Sequence, residues 1–161
     1  MGRRAFHGKW ANAAQDPAPR DLQVNYLLDT NACIALINGK PSSVRSRFRR
    51  AIVTGAKVFV PSIVAFELWY GVSKSLQPEV NRQRLGAFFA GPIALLDFDD
   101  EDAQSAGTIR AALEVLGKPI GAYDLLIAGQ ALARNFTLVT ANVTEFARIK
   151  GLAWQDWSKP S

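Results

Sequence analysis

The sequence predicts an α/β fold in which a central parallel sheet of four to five strands is covered by helices on both faces. Three observations predict it. From Asn25 onward, short apolar runs alternate with longer stretches of helical period, and strands that alternate with helices form parallel sheets enclosed between helical layers. At 161 residues, 48% hydrophobic and 20% charged, the chain has the composition of one globular domain with enough apolar material for a sizeable core. No apolar run approaches the roughly 18 to 20 residues of a membrane-spanning helix, because Asp29, Glu67, Asp97 and Asp124 interrupt the longest ones. No membrane association is expected.

The elements follow in order. Residues 1–24, MGRRAFHGKWANAAQDPAPRDLQV, show neither a period of 2 nor one of 3.6 and contain no apolar segment that could serve as a signal peptide; they are expected to form a loose tail. Asn25 to Asp29 reads as a buried strand, after which Thr30 or Asn31 can cap a helix through Asn38, stopped by Gly39 and Pro41. Ser43 to Ala51 is a second, basic helix. Val58 to Val60 is a strand, and Pro61-Ser62 opens a helix that continues from Ile63 to Lys74. A further helix around Val80 to Ala90 ends at Gly91-Pro92, before a third strand from Ile93 to Phe98. The acidic run Asp99 to Asp102 opens a helix to about Leu116, where acids favour the positive end of the helix dipole and are expected to be solvated. Gly121 to Asn135 is another helix, Thr137 to Thr140 a strand, Val143 to Ile149 a short helix and Leu152 to Trp157 a candidate last strand. Ligands of such sheets collect outside the carboxyl ends of the strands.

Residue inventory narrows the chemistry. The single Cys33 rules out a disulfide framework within the chain and a multi-Cys zinc site, and the only histidine, His7, lies in the polar N-terminal stretch. Catalysis by Ser-His-Asp, Cys-His, paired histidines or a His-ligated metal each needs a core histidine. What remains is carboxylate chemistry, with or without a hard metal. The net charge of +5 points to a polyanionic partner. Residues 1–24 carry +2 of it, so the body is only mildly basic.

Three acids stand in apolar surroundings: Asp29 in YLLDTN, Glu67 in IVAFELWYG and Asp124 in GAYDLLIAG. A buried carboxylate is costly unless it is paired, hydrogen-bonded or bound to a cation. Asp29 closes the first strand at the ligand-binding edge, and Glu67 and Asp124 fall in early turns of helices that start at the same edge. Taken singly, Asp29 can cap the next helix, and Glu67 and Asp124 can pair with arginine or backbone. Taken together they favour a metal site, since converging carboxylates repel unless a divalent cation neutralises them. Oxygen ligands of this kind suit Mg²⁺ or Mn²⁺, with water and a substrate phosphate filling the remaining positions.

Asn142 and Glu145 form a fourth corner after the strand TLVT; three apart, they share one face of a helical turn and also fit a capping box. Arg45, Arg47, Arg49 and Arg50 crowd one short helix together with Lys40, a candidate RNA-binding face that can equally be solvated surface. Trp69 and Tyr70 can stack on bases, although packing or a dimer interface suits them better.

From about Tyr26 to Trp157 the chain resembles the PIN-domain family and, within it, the VapC-type ribonuclease toxins of type II toxin-antitoxin modules. The resemblance rests on four ordered motifs: YLLDTNACIALI, PSIVAFELWYGVSKS, KPIGAYDLLIAGQAL and LVTANVTEFARIKGLAWQDW. It implies a PIN-like three-layer α/β/α sandwich over residues 25–161, in which Asp29 and Asp124 bind Mg²⁺, Mn²⁺ being able to substitute. It further implies that Glu67 completes the acidic pocket and that Asn142 and Glu145 border it. Many PIN nucleases carry Asp where Asn142 stands, so one firmly held metal is expected rather than two. The tail is a second departure, because such toxins usually begin just before the first strand; an upstream misassigned start codon would account for it, with Val24 as the candidate first residue.

The implied function is a Mg²⁺-dependent endoribonuclease that hydrolyses RNA phosphodiester bonds without a protein nucleophile, acting as the toxin of a two-gene module. Its expected partners are single-stranded or loop RNA, transfer RNA included, a cognate antitoxin whose tail occludes the acidic pocket, and a second copy of the chain in a homodimer. A cytoplasmic location is expected. A catalytically silent RNA-binding PIN domain is the alternative, which loss of a core acid would favour, and none is missing. A phosphohydrolase with an Asp nucleophile wants a second acid two residues after the first, where Asn31 stands.

Overall fold

The computed structural model describes residues 23–160, so the expectation of a loose N-terminal tail lies, for residues 1–22, outside the described residues. The elements run β1 (Asn25–Leu28), α1 (Thr30–Asn38), α2 (Ser42–Val53), β2 (Lys57–Pro61), α3 (Ser62–Lys74), α4 (Pro78–Phe89), β3 (Ala94–Leu96), α5 (Asp100–Val115), α6 (Ala122–Arg134), β4 (Thr137–Val139), α7 (Val143–Phe146) and β5 (Trp154–Gln155). All strand pairs are parallel, in the order β3-β2-β1-β4-β5.

The central strand shows why the sheet needs two helical layers. Successive strand residues point to opposite faces, yet Leu27 and Leu28 are both wholly buried, so both faces of β1 are covered. Leu138 and Val139 in β4 behave alike. The edge strand β3, by contrast, leaves Leu95 56% exposed. The order reverses between β1 and β4, which makes their carboxyl ends the switch point where open parallel sheets place their ligands.

Local chemistry sets the boundaries, and several differ from expectation. The cap of α1 is Asp29 rather than Thr30 or Asn31: its carboxylate accepts from the Ala32 amide at 2.8 Å. Gly39 ends that helix at φ 72°, a left-handed turn that favours glycine, and a Cβ there would meet the Arg45 guanidinium at 2.7 Å. Asp99 and Asp102 form a reciprocal capping box at the start of α5, but Asp102 is not solvated. Its side chain is buried against α6, where Arg134 donates to both carboxylate oxygens at 3.0–3.1 Å and Gln130 donates at 3.1 Å. Burial alone would raise this carboxyl; the Arg134 hydrogen bonds and charge, with the backbone bond at Asp99, outweigh it and hold it below its ordinary value. Helices α5 and α6 lie so close that a Cβ on Gly129 would sit 2.6–2.7 Å from Ala106 atoms, two of them backbone.

At the C-terminal end the elements are shorter than expected. Helix α7 is a single turn ending at Phe146 rather than Ile149, and β5 is two residues within the predicted Leu152–Trp157. Trp157, instead of extending the strand, packs edge-on against Tyr26 with ring centroids 5.0 Å apart. On α3, Trp69 stacks on Phe89 at 6.0 Å, and Tyr70 is 59% exposed beneath the Lys74 ammonium.

Candidate active site

The acids reach the carboxyl edge of the sheet by four routes. Asp29 follows β1 directly, Glu67 stands in the second turn of the helix after β2, Asp124 lies in the first turn of α6, and Glu145 comes from the turn after β4. Asp29 is 5% exposed, while Glu67, Asp124 and Glu145 are half-buried.

Their electrostatics bind them into one group. Burial raises the Asp124 carboxyl most; a hydrogen bond shared with Glu145 and the negative charges of Glu145, Asp29 and Glu67 add to it, and together they bring it to about 6. Asp29 is also raised, first by burial and then by the charges of Glu67 and Asp156, against hydrogen bonds from Thr140 and the Ala32 amide that favour its ionised form. Asn142 does not cap α7 with its side chain, as the capping-box reading required; its amide instead donates to Glu145 Oε2 at 3.0 Å. All five sequence-predicted acid-site residues therefore fall in one neighbourhood.

The basic helix is divided. Arg45 donates to the carbonyls of Leu36 and Ile37 at the end of α1, and Arg47 to the carbonyl of Asp156. Both guanidinium groups thus tie α2 to its neighbours. Arg49 and Arg50 are exposed and make no side-chain hydrogen bond or ion pair among the described residues.

Two residues near Asp29 escaped the sequence reading. Thr140, wholly buried at the end of β4, hydrogen-bonds Asp29, and its hydroxyl oxygen accepts from the backbone N–H of Asn142 at 3.0 Å. Asp156 follows β5, with the backbone amide and hydroxyl of Ser158 both donating to its Oδ1. Each closes a strand at the ligand-binding edge, a position visible in sequence only if the strand ends are known.

Among the described residues every Lys or Arg ion pair lies elsewhere, on Glu79, Asp99, Asp102 and Glu114, so Asp29, Glu67, Asp124 and Glu145 have no protein cation within 4.0 Å. No three Asp, Glu, His or Cys side chains among the described residues are drawn together tightly enough to cage an ion by themselves. Oxygen-only chemistry, negative charge and the want of a counter-ion fit a hard divalent cation. A cysteine nucleophile is excluded by a different observation: Cys33 is fully buried, and burial followed by the charge of Asp29 pushes its thiol well above the ordinary value.

Comparison with known proteins agrees with this geometry. The PIN domain family model matches residues 26–152. The tRNA(fMet)-specific endonuclease VapC of Shigella flexneri is 42% identical over 135 residues, which is 84% of this chain and 99% of that protein. Ribonuclease VapC2 of Rickettsia felis is 40% identical over 134 residues, covering 83% and 98%. Among solved structures, VapBC2 from Rickettsia felis bound to a DNA fragment from their promoter aligns with a TM-score of 0.78 at 39% identity, over 83% of this chain and 99% of that one. DNA-bound VapBC from Salmonella typhimurium gives 0.76 at 41%, over 83% and 98%.

Proposed function

The chain belongs to the PIN-domain family, and from that premise we propose that it is a Mg²⁺-dependent endoribonuclease, the toxin of a type II toxin-antitoxin module. The observation that carries the reading is the set of four acids at the switch point of the sheet that have no counter-ion among the described residues. Asp29 and Asp124 would hold the cation, Glu67 would complete the negative pocket, and Glu145 with Asn142 would border it. When bound, Mg²⁺ supplies charge neutralisation at the scissile phosphate and activation of the attacking water.

The remaining work falls to the chain itself. The Ala32 amide and Thr140 fix the orientation of Asp29. Asn142 fixes Glu145 through its 3.0 Å bond, and Glu145, sharing a hydrogen bond with Asp124, is placed to hold or pass a proton at that carboxyl. The names of the relatives support transfer RNA as substrate and a cognate antitoxin as partner. Exposed Phe66, Trp69, Tyr70 and Tyr123, of which Phe66 and Tyr123 touch edge to face, support pairing with a second copy. The cytoplasm is the compartment in which such an RNA is met; among the described residues no helix is long and apolar enough to cross a membrane.

Incubating the purified chain with total RNA and with transfer RNA, and mapping the new ends, tests the proposal. Discrete Mg²⁺-dependent ends are expected. A folded protein that binds RNA and leaves it intact would favour the silent RNA-binding domain instead.

A further inference from the structure

A cleft of about 340 Å³ opens between α1, the turn at Lys40-Pro41 and the ends of β4 and β5. It adjoins the acidic site through Thr140, which lines the cleft and hydrogen-bonds Asp29. Its size falls at the lower end of the range for small-ligand pockets. Ile34, Ala35 and Val44 contribute apolar wall, and Asn31, Lys40 and Asp156 contribute the polar rim. An apolar slot with a polar edge suits a nucleobase, whose faces are apolar and whose rim carries donors and acceptors.

The polar groups are held available. Asp156 Oδ1 is engaged by Ser158, its carbonyl is held by Arg47, and its Oδ2 has no partner among the described residues. The side chains of Asn31 and Lys40 are exposed and likewise make no hydrogen bond or ion pair among those residues. An ionised Oδ2 only accepts, so it matches the exocyclic amino groups of adenine, cytosine and guanine; uracil offers it only the ring N3–H, flanked on both sides by carbonyl oxygens that a carboxylate repels. Lys40 at the rim favours a polyanion and disfavours a cationic protein side chain as the occupant.

We propose that this cleft is a nucleobase subsite that seats the RNA nucleotide next to the cleaved phosphodiester, with Asp156 as the residue that selects an amino-bearing base over uracil and Lys40 as a phosphate contact. The inference rests on the endoribonuclease reading and deepens it.

The test uses the full chain, saturating Mg²⁺ and an RNA hairpin library with a randomised single-stranded loop, read by sequencing the cleaved ends. Wild type should deplete uracil about tenfold at one position flanking the cut. Asp156→Asn keeps an acceptor for Ser158 but turns an amide donor toward the cleft, and should remove or reverse that depletion at that position alone. Lys40→Ala should slow every library member alike, by about three- to tenfold, and leave the base order unchanged. Wild-type cleavage indifferent to base at both flanking positions would overturn the subsite, as would an unchanged preference in folded Asp156→Asn. Absence of any cleavage by wild type would instead remove the nuclease reading itself. Because the wild-type preference is read without any variant, a misfolded Asp156→Asn protein leaves the proposal open to refutation.

Discussion

Asp124 concentrates the physics of the site in one residue. Its carboxyl stands at about 6 where 3.8 is ordinary, so between those values the folded chain holds more protons than the unfolded one. Stability therefore falls, through this group, as pH rises from about 4 to about 6. Asp29, raised chiefly by burial, acts in the same direction, whereas Asp102, held low by Arg134, contributes stability that is lost as pH falls. Asp124→Asn isolates the first effect, since the amide removes the charge and can still hydrogen-bond Glu145. In EDTA the variant should melt at or above the wild-type temperature, and the gap should widen between pH 5 and pH 7.5. Added Mg²⁺ should raise the melting temperature of wild type and do much less for the variant. Thermal melts at the two pH values check both statements; strong destabilisation of Asp124→Asn without metal would make the residue structural. The sequence marked Asp29, Glu67 and Asp124 because a lone carboxylate among apolar neighbours is conspicuous. It did not mark Asp102, whose partner Arg134 is 32 residues away, or Asp156, whose role depends on which strand its segment joins.

At the scale of elements, the packing of α5 on α6 sets where Asp124 lies. Gly129 permits that approach, and a methyl group there would press on Ala106 backbone atoms that cannot turn aside. Gly129→Ala should cost about 1–3 kcal/mol, a loss of roughly 2–4 °C in melting temperature per kcal/mol for a chain of this size. Gly86 and Gly107 lie in helices with open space where a Cβ would go, so Gly86→Ala and Gly107→Ala should each stabilise by about 0.5–1 kcal/mol. Equal behaviour of the three in thermal melts would contradict the packing described. The same scale shows what sequence patterns resolve. Helices α3 and α6 were legible nearly to the residue, because Pro61-Ser62, Gly121 and Asn135 mark their ends. The short strands were not: β3 and β5 contribute three and two residues to the ladder, and pairing with a neighbour rather than local composition decides where such strands stop.

For the whole molecule, the order β3-β2-β1-β4-β5 brings acids from four separate segments to one edge. The alternation of apolar runs and helices announced the parallel sheet, but its order depends on which strand lies inside, and that is a long-range packing outcome. A chain truncated to begin at Val24 loses the exposed hydrogen bond from Gln23 to the Gly55 carbonyl and keeps every strand and helix named above. Its melting temperature and RNA cleavage should match those of the full chain; a large loss of either would make residues 1–23 part of the working fold. In the proposed function, the acids that lack a counter-ion among the described residues form a divalent-cation site for cutting RNA. The most direct test of this assignment is single-turnover cleavage of one labelled transfer RNA by wild type and Asp124→Asn, each in Mg²⁺, in EDTA, and in EDTA followed by excess Mg²⁺. Wild type should cleave in Mg²⁺, stop in EDTA and recover on re-addition, with Asp124→Asn slower by about 100-fold or more in Mg²⁺. Cleavage that persists in EDTA, or an Asp124→Asn protein that cuts at the wild-type rate, would contradict it.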